Sequence, residues 1–463
     1  MLLERIYEED LSQASYFIGC QARGEAIVID PRRDIQVYLD LAKKNGMKIS
    51  AVTETHIHAD YLSGSRELAS ATGAELYLSD EGGPDWSYGF EGNRLKDGDS
   101  ITIGNLTLQA VFTPGHTPEH MSYLLTDGAF TDRPGYMFTG DFVFAGDLGR
   151  PDLLDEAAGG HDTRFEGAKQ LFASLRDKFL TLPDYVQVHP AHGAGSPCGK
   201  ALGSVPSSTV GYERTFAWWA KYLETNDEQG FIDELLDGQP DAHAYFGRMK
   251  RENRDGPAVM GERAPLKRYT SAEAIAGQRD NEVIFLDPRA LDDVRQGTVA
   301  GAINVAWNAK PSMYVGWAID PERDKRDIVI LTDEEEFAED MRNRFVRVGV
   351  DNVTGFTSLS DELPAYLPEL VQPEDLDGFE HDLLLDVRNN SEFRDGSIPG
   401  AQHISAGKVM WSLNELPKDG TIVAFCQSGV RSSVIASSLR EAGFHVVELD
   451  GSYAAWSLRQ QHA

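Results

Sequence analysis

Four short segments of this chain each set a histidine or an aspartate where an apolar run ends, and in three of them it stands beside glycine or proline. They are Thr55-His56-Ile57-His58-Ala59-Asp60-Tyr61, Pro114-Gly115-His116-Thr117-Pro118, Thr139-Gly140-Asp141 and Pro190-Ala191-His192-Gly193. The first has the H-x-H-x-D spacing of a metal-binding loop. Any one of these histidines, taken alone, reads as a hydrogen-bonded structural residue. The series predicts a metal site instead, because imidazoles and carboxylates together suit zinc or iron.

A second stretch is built for sulfur chemistry. Val423-Ala424-Phe425 is an apolar run that delivers Cys426 into the loop Gln427-Ser428-Gly429-Val430, followed by Arg431 and a helical pattern over 432–440. Successive backbone N–H groups and a helix N-terminus converge on such a loop, which favours an anion and hence the thiolate. A thiolate there can attack sulfane sulfur and carry it as a persulfide. Four residues separate Cys426 from Arg431. Cysteine phosphatases use a longer loop that makes room for phosphate, so this spacing suits a single sulfur atom. Cys426 and Arg431 are the candidate catalytic residues, and Gln427, Ser428, Gly429 and Val430 form the candidate sulfur-binding loop.

The elements that must position these groups read as an α/β multidomain chain. Ala26–Asp30 predicts a buried strand, Asp34 a helix cap with Ile35, Tyr38, Leu39 and Ala42 on one face, and Ile49–Thr53 the next strand. His56 and His58 then lie on a loop at the end of a strand, where such scaffolds carry their sites. A helix is expected from Gly64 to Ala71. Residues 250–267 are charged and rich in glycine and proline, as a linker would be. Residues 361–377, with three prolines and six acids, give a second candidate linker. Between and after these lies an internal repeat. Leu286-Asp287-Pro288-Arg289 and Gly301-Ala302-Ile303 match Leu385-Asp386-Val387-Arg388 and Gly400-Ala401-Gln402 at a constant offset of 99 residues. The expected domains are 1–260, 268–362 and 370–463. In the first copy the strand Ile328–Thr332 runs into Asp333-Glu334-Glu335-Glu336, where the second has Cys426. A carboxylate cannot carry sulfur, so that copy is expected to be a spacer or docking domain.

Composition bounds the partners. A chain of 463 residues that is 41% hydrophobic supports roughly two to four domains. Its net charge of −31 argues against a nucleic-acid partner. Cys20, Cys198 and Cys426 are odd in number and far apart, which fits a reducing compartment and no disulfide framework. The opening MLLERIYEED lacks a signal-peptide pattern, and no apolar run approaches the roughly 18–20 residues of a membrane span. A cytoplasmic chain without a membrane partner is expected.

Together the four metal segments resemble the metallo-β-lactamase superfamily, an αββα sandwich. Gly140-Asp141 running on to Gly149-Arg150-Pro151-Asp152 is most similar to its persulfide dioxygenase branch. The resemblance implies one Fe(II) per chain, held by His56, His116 and Asp141, with positions open for O2 and a thiolate-type sulfur. Hydrolytic relatives carry a histidine where this chain has Tyr61. The resemblance thus implies that His58, Asp60, Tyr61 and His192 are hydrogen-bonding neighbours or the vestige of a second metal site, although a phenol oxygen can itself ligate a metal. Arg150 and Asp152 are expected to line the substrate approach, or else to close their loop as an ion pair. Thr117 touches substrate or caps a turn. Cys198 follows His192 in a stretch, Gly193-Ala194-Gly195-Ser196-Pro197-Cys198-Gly199-Lys200, that departs from glutathione-using relatives. It is a candidate sulfur relay, with Lys200 and loop amides to activate it, or an unpaired thiol.

The Cys426 domain, with Asp386-Val387-Arg388 upstream and Gly451-Ser452-Tyr453-Ala454-Ala455-Trp456 at its end, resembles a rhodanese, and the first copy resembles one without its cysteine. The domain order is similar to persulfide dioxygenase–sulfurtransferase fusions of bacterial sulfide oxidation. That implies a homo-oligomeric enzyme that oxidises a low-molecular-weight thiol persulfide with O2 to sulfite and free thiol. It also implies sulfur transfer through Cys426 between persulfide, sulfite and thiosulfate, with fusion raising the effective concentration. The alternatives are a two-metal thioester hydrolase of the glyoxalase II type, and a sulfur carrier or sensor whose metal domain only docks partners.

Overall fold

The computed structural model describes residues 1–156, 163–360 and 362–462. Asp361, where the second expected linker begins, lies outside the described residues. The chain divides into two compact units, residues 1–242 with 246–262 and residues 243–245 with 263–463.

The first unit is built on two six-stranded sheets. One runs in chain order through β1 (Leu2–Glu8), β2 (Gln13–Cys20), β3 (Glu25–Ile29), β4 (Lys48–Thr53), β5 (Glu75–Ser79) and β6 (Asn93–Leu95). It is antiparallel as far as β3 and parallel from β3 to β6. The other comprises β7 (Ser100–Ile103), β8 (Leu106–Phe112), β9 (Met121–Asp127), β10 (Tyr136–Gly140), β11 (Gln187–Pro190) and β12 (Ser208–Thr209). Only β10 and β11 pair in parallel.

Side chains alternate between the faces of each strand, and here both faces are apolar. Tyr16, Ile18, Ile27 and Ile29 pack with Leu108, Ala110, Tyr123, Leu125 and Phe138 between the sheets. Phe17, Ala26 and Val28 point the other way, towards Tyr38, Ala42 and Leu68 of the helices Gln36–Lys44 and Ser65–Thr72. Leu124, Met137 and Val188 meet Ala168, Leu171 and Phe172 of the helix Thr163–Ser174. The result is a helix–sheet–sheet–helix sandwich, the expected fold class.

Two local expectations change. The capping position of the first helix is Ile35, one residue beyond the expected Asp34, and Asp34 pairs with Arg32 at 3.1 Å. Residues 250–255 are not linker but the end of a helix, Phe246–Asp255.

In the second unit two five-stranded sheets repeat one topology. Val283–Asp287 lies between Ile303–Asn304 and Asp327–Leu331, with Val353–Thr357 and Lys267–Arg268 beyond. Leu383–Asp386 lies likewise between Gln402–His403 and Thr421–Phe425, with His445–Leu449 and Leu370–Val371 beyond. Every pair in both sheets is parallel. The second expected linker is thus partly sheet, since Leu370–Val371 is an edge strand and Ala365–Tyr366 pairs with Thr298–Val299. Among the described residues no helix is long and apolar enough to cross a membrane.

Candidate functional site

Strands β4, β8, β10 and β11 end at the four motif segments and bring them together. Asp141 is central. Its Oδ2 lies 3.4 Å from His116 Nε2 and 3.9 Å from His56 Nε2, and its Oδ1 lies 3.5 Å from His192 Nε2. One donor atom from each of His56, His116 and Asp141 falls within 4.8 Å of the others, and all three residues are buried. Gly140 makes this placement with a φ of +51°, and a β-carbon there would meet Thr55 Oγ1 at 2.5 Å and His120 Nε2 at 2.7 Å.

The second nitrogen of each imidazole is anchored so that Nε2 faces the centre. Thr55 Oγ1 donates to Asp30 at 2.8 Å and so is left to accept from His56 Nδ1 at 2.9 Å. His116 Nδ1 donates to the Arg150 carbonyl at 2.9 Å, and His192 Nδ1 to the Ser12 carbonyl at 3.0 Å. Burial lowers His56 and His116 below the ordinary imidazole range, with neighbouring histidines adding to the effect at His56. Burial alone would raise Asp141, but His192 and His116 outweigh it and hold the carboxylate below its usual range. Both Asp141 oxygens are buried without a hydrogen-bond partner. Two neutral imidazoles and an unpartnered carboxylate are the deprotonated donors that a cation requires. They fit the His-His-carboxylate set of mononuclear iron.

The residues expected around a second metal separate into two groups. Asp60, His192 and Cys198 place donor atoms within 4.8 Å of one another, with Asp60 Oδ2 3.3 Å from His192 Nε2. His58 and Tyr61 belong to neither donor group. His58 Nε2 faces Asp30 Oδ1 and the Tyr61 hydroxyl, each at 3.2 Å. Burial alone would lower His58, but Asp30, with Glu54 and Asp60, outweighs it and raises the ring to about 9. Burial raises the Tyr61 phenol well above its ordinary value, with Asp30 adding to the effect. Its hydroxyl also donates to the Asp30 carbonyl and accepts from Gln13, each at 3.2 Å.

Arg150 is 1% exposed, and its donors are spent within the chain. Nε binds Asp152 Oδ1 at 2.8 Å, Nη2 binds Asp152 Oδ2, and Nη1 serves the carbonyls of Pro197 and Pro240. The ion pair with Asp152 that was the other expectation for these residues is present. Arg150 also ties in the separate loop that carries Cys198, whose carbonyl accepts the Arg150 N–H at 3.3 Å. Burial pushes the Cys198 thiol well up, and the carboxylates of Asp60 and Asp141 add to it. Lys200, expected as its activator, instead donates to the carbonyls of Glu234 and Asp237. Thr117 is buried beside His116.

Several positioning residues had no part in the sequence motifs. Asp30 accepts from the Thr55 N–H at 2.7 Å. Glu119 accepts from the Ile57 N–H at 2.6 Å. Asn253 donates to the carbonyls of His58 and Tyr61 at 2.8 and 2.7 Å. Burial lowers His120 to about 3. This neutral ring donates from Nδ1 to Thr113 Oγ1 and accepts the Asp141 N–H on Nε2 at 3.2 Å. The pairing of His116 with His120 inside one short loop was the available signal for the last of these.

In the second unit Thr421–Phe425 delivers Cys426, which is 1% exposed. The Gly429 N–H donates to Cys426 Sγ at 3.1 Å and the Ser432 hydroxyl at 3.6 Å. The helix Val430–Glu441 starts at once, with Gly429 at φ +103°. Arg431 does not aim its terminal nitrogens at the sulfur, since both bind Glu392, at 2.7 and 2.8 Å. Gln427 is tied down by its carbonyl, which accepts from Ala454 N at 3.0 Å. Ser428 and Val430 complete the loop around the thiol. In the first copy Asp333 follows the equivalent strand and bonds Ser358.

Two family models match the chain, the metallo-β-lactamase superfamily over residues 9–192 and the rhodanese-like domain over 367–459. Among curated relatives, the human mitochondrial persulfide dioxygenase ETHE1 is 31% identical over 42% of this chain and 68% of its own length. A hydroxyacylglutathione hydrolase of Polaromonas is 30% identical over 42% of this chain and 66% of its own. A solved metallo-β-lactamase of Staphylococcus aureus subsp. aureus COL is 35% identical, with a TM-score of 0.67, covering 77% of this chain and 99% of that one. Sandwich, donor cluster and relatives agree: the chain belongs to the metallo-β-lactamase superfamily, with persulfide dioxygenases among its relatives and a rhodanese-like domain at its C-terminal end.

Proposed function

We propose that the first unit is a mononuclear Fe(II) persulfide dioxygenase and that Cys426 is the sulfur carrier of a rhodanese in the same cytoplasmic chain, with the repeat copies bounded at 268–362 and 370–463. The carrying observation is the His56–His116–Asp141 donor set, whose Nε2 atoms and carboxylate are free of hydrogen-bonded competitors. An iron(II) held by these three residues would supply the redox chemistry that lets O2 react with a sulfur ligand. The terminal sulfur of a low-molecular-weight thiol persulfide takes both atoms of O2 and one oxygen of water, leaving as sulfite, while its thiol is released.

The chain's own residues set the geometry. Thr55 and the Arg150 carbonyl fix the two imidazole tautomers, His120 holds the Asp141 backbone, and Arg150, paired with Asp152, holds the Cys198 loop through the carbonyls of Pro197 and Cys198. Cys198, clustered with Asp60 and His192, receives or relays a sulfur atom. Cys426 takes sulfane sulfur, which sulfite then removes as thiosulfate, or the transfer runs in reverse.

A second reading rests on the Asp60–His192–Cys198 group, which could hold another metal and so support a two-metal thioester hydrolase. Metal analysis with oxygen uptake decides between them. One iron per chain, with O2 consumed and sulfite released from a persulfide, is the expected outcome. Two zinc ions with thioester cleavage and no O2 uptake would overturn it. A carrier or sensor protein would keep its sulfur handling intact when Asp141 is changed to Ala, whereas a dioxygenase would lose O2 uptake and sulfite release from a persulfide.

A further inference from the structure

The active cysteine loop has a neighbour from the silent copy. Arg295 follows the short helix Leu291–Val294. A β-carbon placed on Gly429 would stand 3.1 Å from Arg295 Nη2 and 2.9 Å from Leu291 Cδ2. Gly429 is the residue whose N–H meets Cys426 Sγ. Arg295 binds Asp450 through Nη1 at 2.8 Å, while its Nε and Nη2 are buried without a partner. Buried donors left unsatisfied are costly, so they mark a place where an acceptor belongs.

Charge points the same way. Thiosulfate and sulfite are dianions that must approach a chain of net charge −31. Near Cys426, Arg431 is paired with Glu392 through both terminal nitrogens, and Arg388 is buried against Asp386. Arg295 alone among these three has two adjacent guanidinium donors that are buried and without a partner, and such a fork matches two oxygens of a sulfonate.

We propose that Arg295 of the silent copy is the oxyanion-binding residue of the Cys426 site, holding the sulfonate end of thiosulfate or sulfite. The assignment rests on the rhodanese reading above and deepens it. The Cys426 thiolate attacks the outer sulfur of thiosulfate. A bond from Sγ to that sulfur forms, the sulfur–sulfur bond of thiosulfate breaks, and its electron pair leaves on sulfite. No external oxidant is needed, and the reverse step needs only sulfite. The copy that lost its thiol thus keeps a part in the reaction.

The test uses the full chain with thiosulfate as donor and cyanide as acceptor, and an alkyl persulfide, which carries no oxyanion, as a second donor. Arg295→Gln should raise KM for thiosulfate by about tenfold or more, the scale of one charged hydrogen bond, and leave KM for the alkyl persulfide unchanged. Arg295→Lys keeps a cation for Asp450 but loses the fork, so it should raise the thiosulfate KM severalfold and decides the matter if the Gln variant does not fold. Unchanged thiosulfate KM, or equal losses with both donors, would overturn the assignment to Arg295 alone. A wild-type chain that takes no sulfur from thiosulfate onto Cys426 would overturn the rhodanese reading with it.

Discussion

His58 Nε2 lies 3.2 Å from Asp30 Oδ1, and this pairing gives the two histidines of one loop different tasks. His56 turns its Nε2 towards Asp141 and His116, whereas His58 turns the same atom towards Asp30 and Tyr61. His56→Ala should therefore reduce bound iron by at least about tenfold, the lower bound for losing even a supporting group at a metal site. His58→Gln should retain most of the metal. Iron analysis of the full chains after anaerobic reconstitution checks this, and equal loss in the two variants would place His58 among the ligands.

Asp60, His192 and Cys198 form a second group of donor atoms, so metal stoichiometry is the measurement that tests it. With a single iron, Cys198→Ser should leave the metal content as it is and impair persulfide turnover. A wild type with two metals, falling to one in Cys198→Ser, would make the thiolate a ligand and favour the hydrolytic reading.

What the sequence revealed of this site was what lies at the ends of strands. Each metal-site segment follows an apolar run; the first carries the H-x-H-x-D spacing and the other three carry glycine or proline, so local pattern alone marks His56, His116, Asp141 and His192. The constant offset between Leu286 and Leu385 likewise announced two related sheets. What stayed hidden depends on long separations. Asn253 holds the carbonyl of His58 from 195 positions away, within a segment whose charge and glycine suggested a linker. Asp30 reads as the last residue of a strand, yet it adopts φ +52° and turns its carboxylate to Thr55 and His58. The motif left Arg150 either lining a substrate approach or pairing with Asp152, and only the fold shows the partners its donors meet.

Gly140 should be sensitive out of proportion to its size. Its φ is positive, and an added methyl would collide with Thr55 Oγ1 and His120 Nε2, which orient His56 and the Asp141 backbone. Gly140→Ala should cost about 1–3 kcal/mol, the usual price of a strained backbone residue, and weaken iron binding as well. Thermal unfolding with and without iron would reveal both effects, and a variant with wild-type stability and metal content would show that the turn relaxes freely.

Cys426→Ser isolates the two chemistries from each other. The hydroxyl can still accept the Gly429 N–H, so the loop should keep its shape, but serine oxygen cannot carry a transferable sulfur atom. Sulfur transfer from thiosulfate should fall by at least about a thousandfold, as when a nucleophile is removed. Iron content and O2 uptake with persulfide should remain at the wild-type level, because the donor set lies in the other unit. Sulfite should then accumulate where the wild type forms thiosulfate, and mass spectrometry should find no added sulfur at residue 426. If thiosulfate still forms at the wild-type rate, the sulfur must travel by another thiol, and Cys198 becomes the residue to change next.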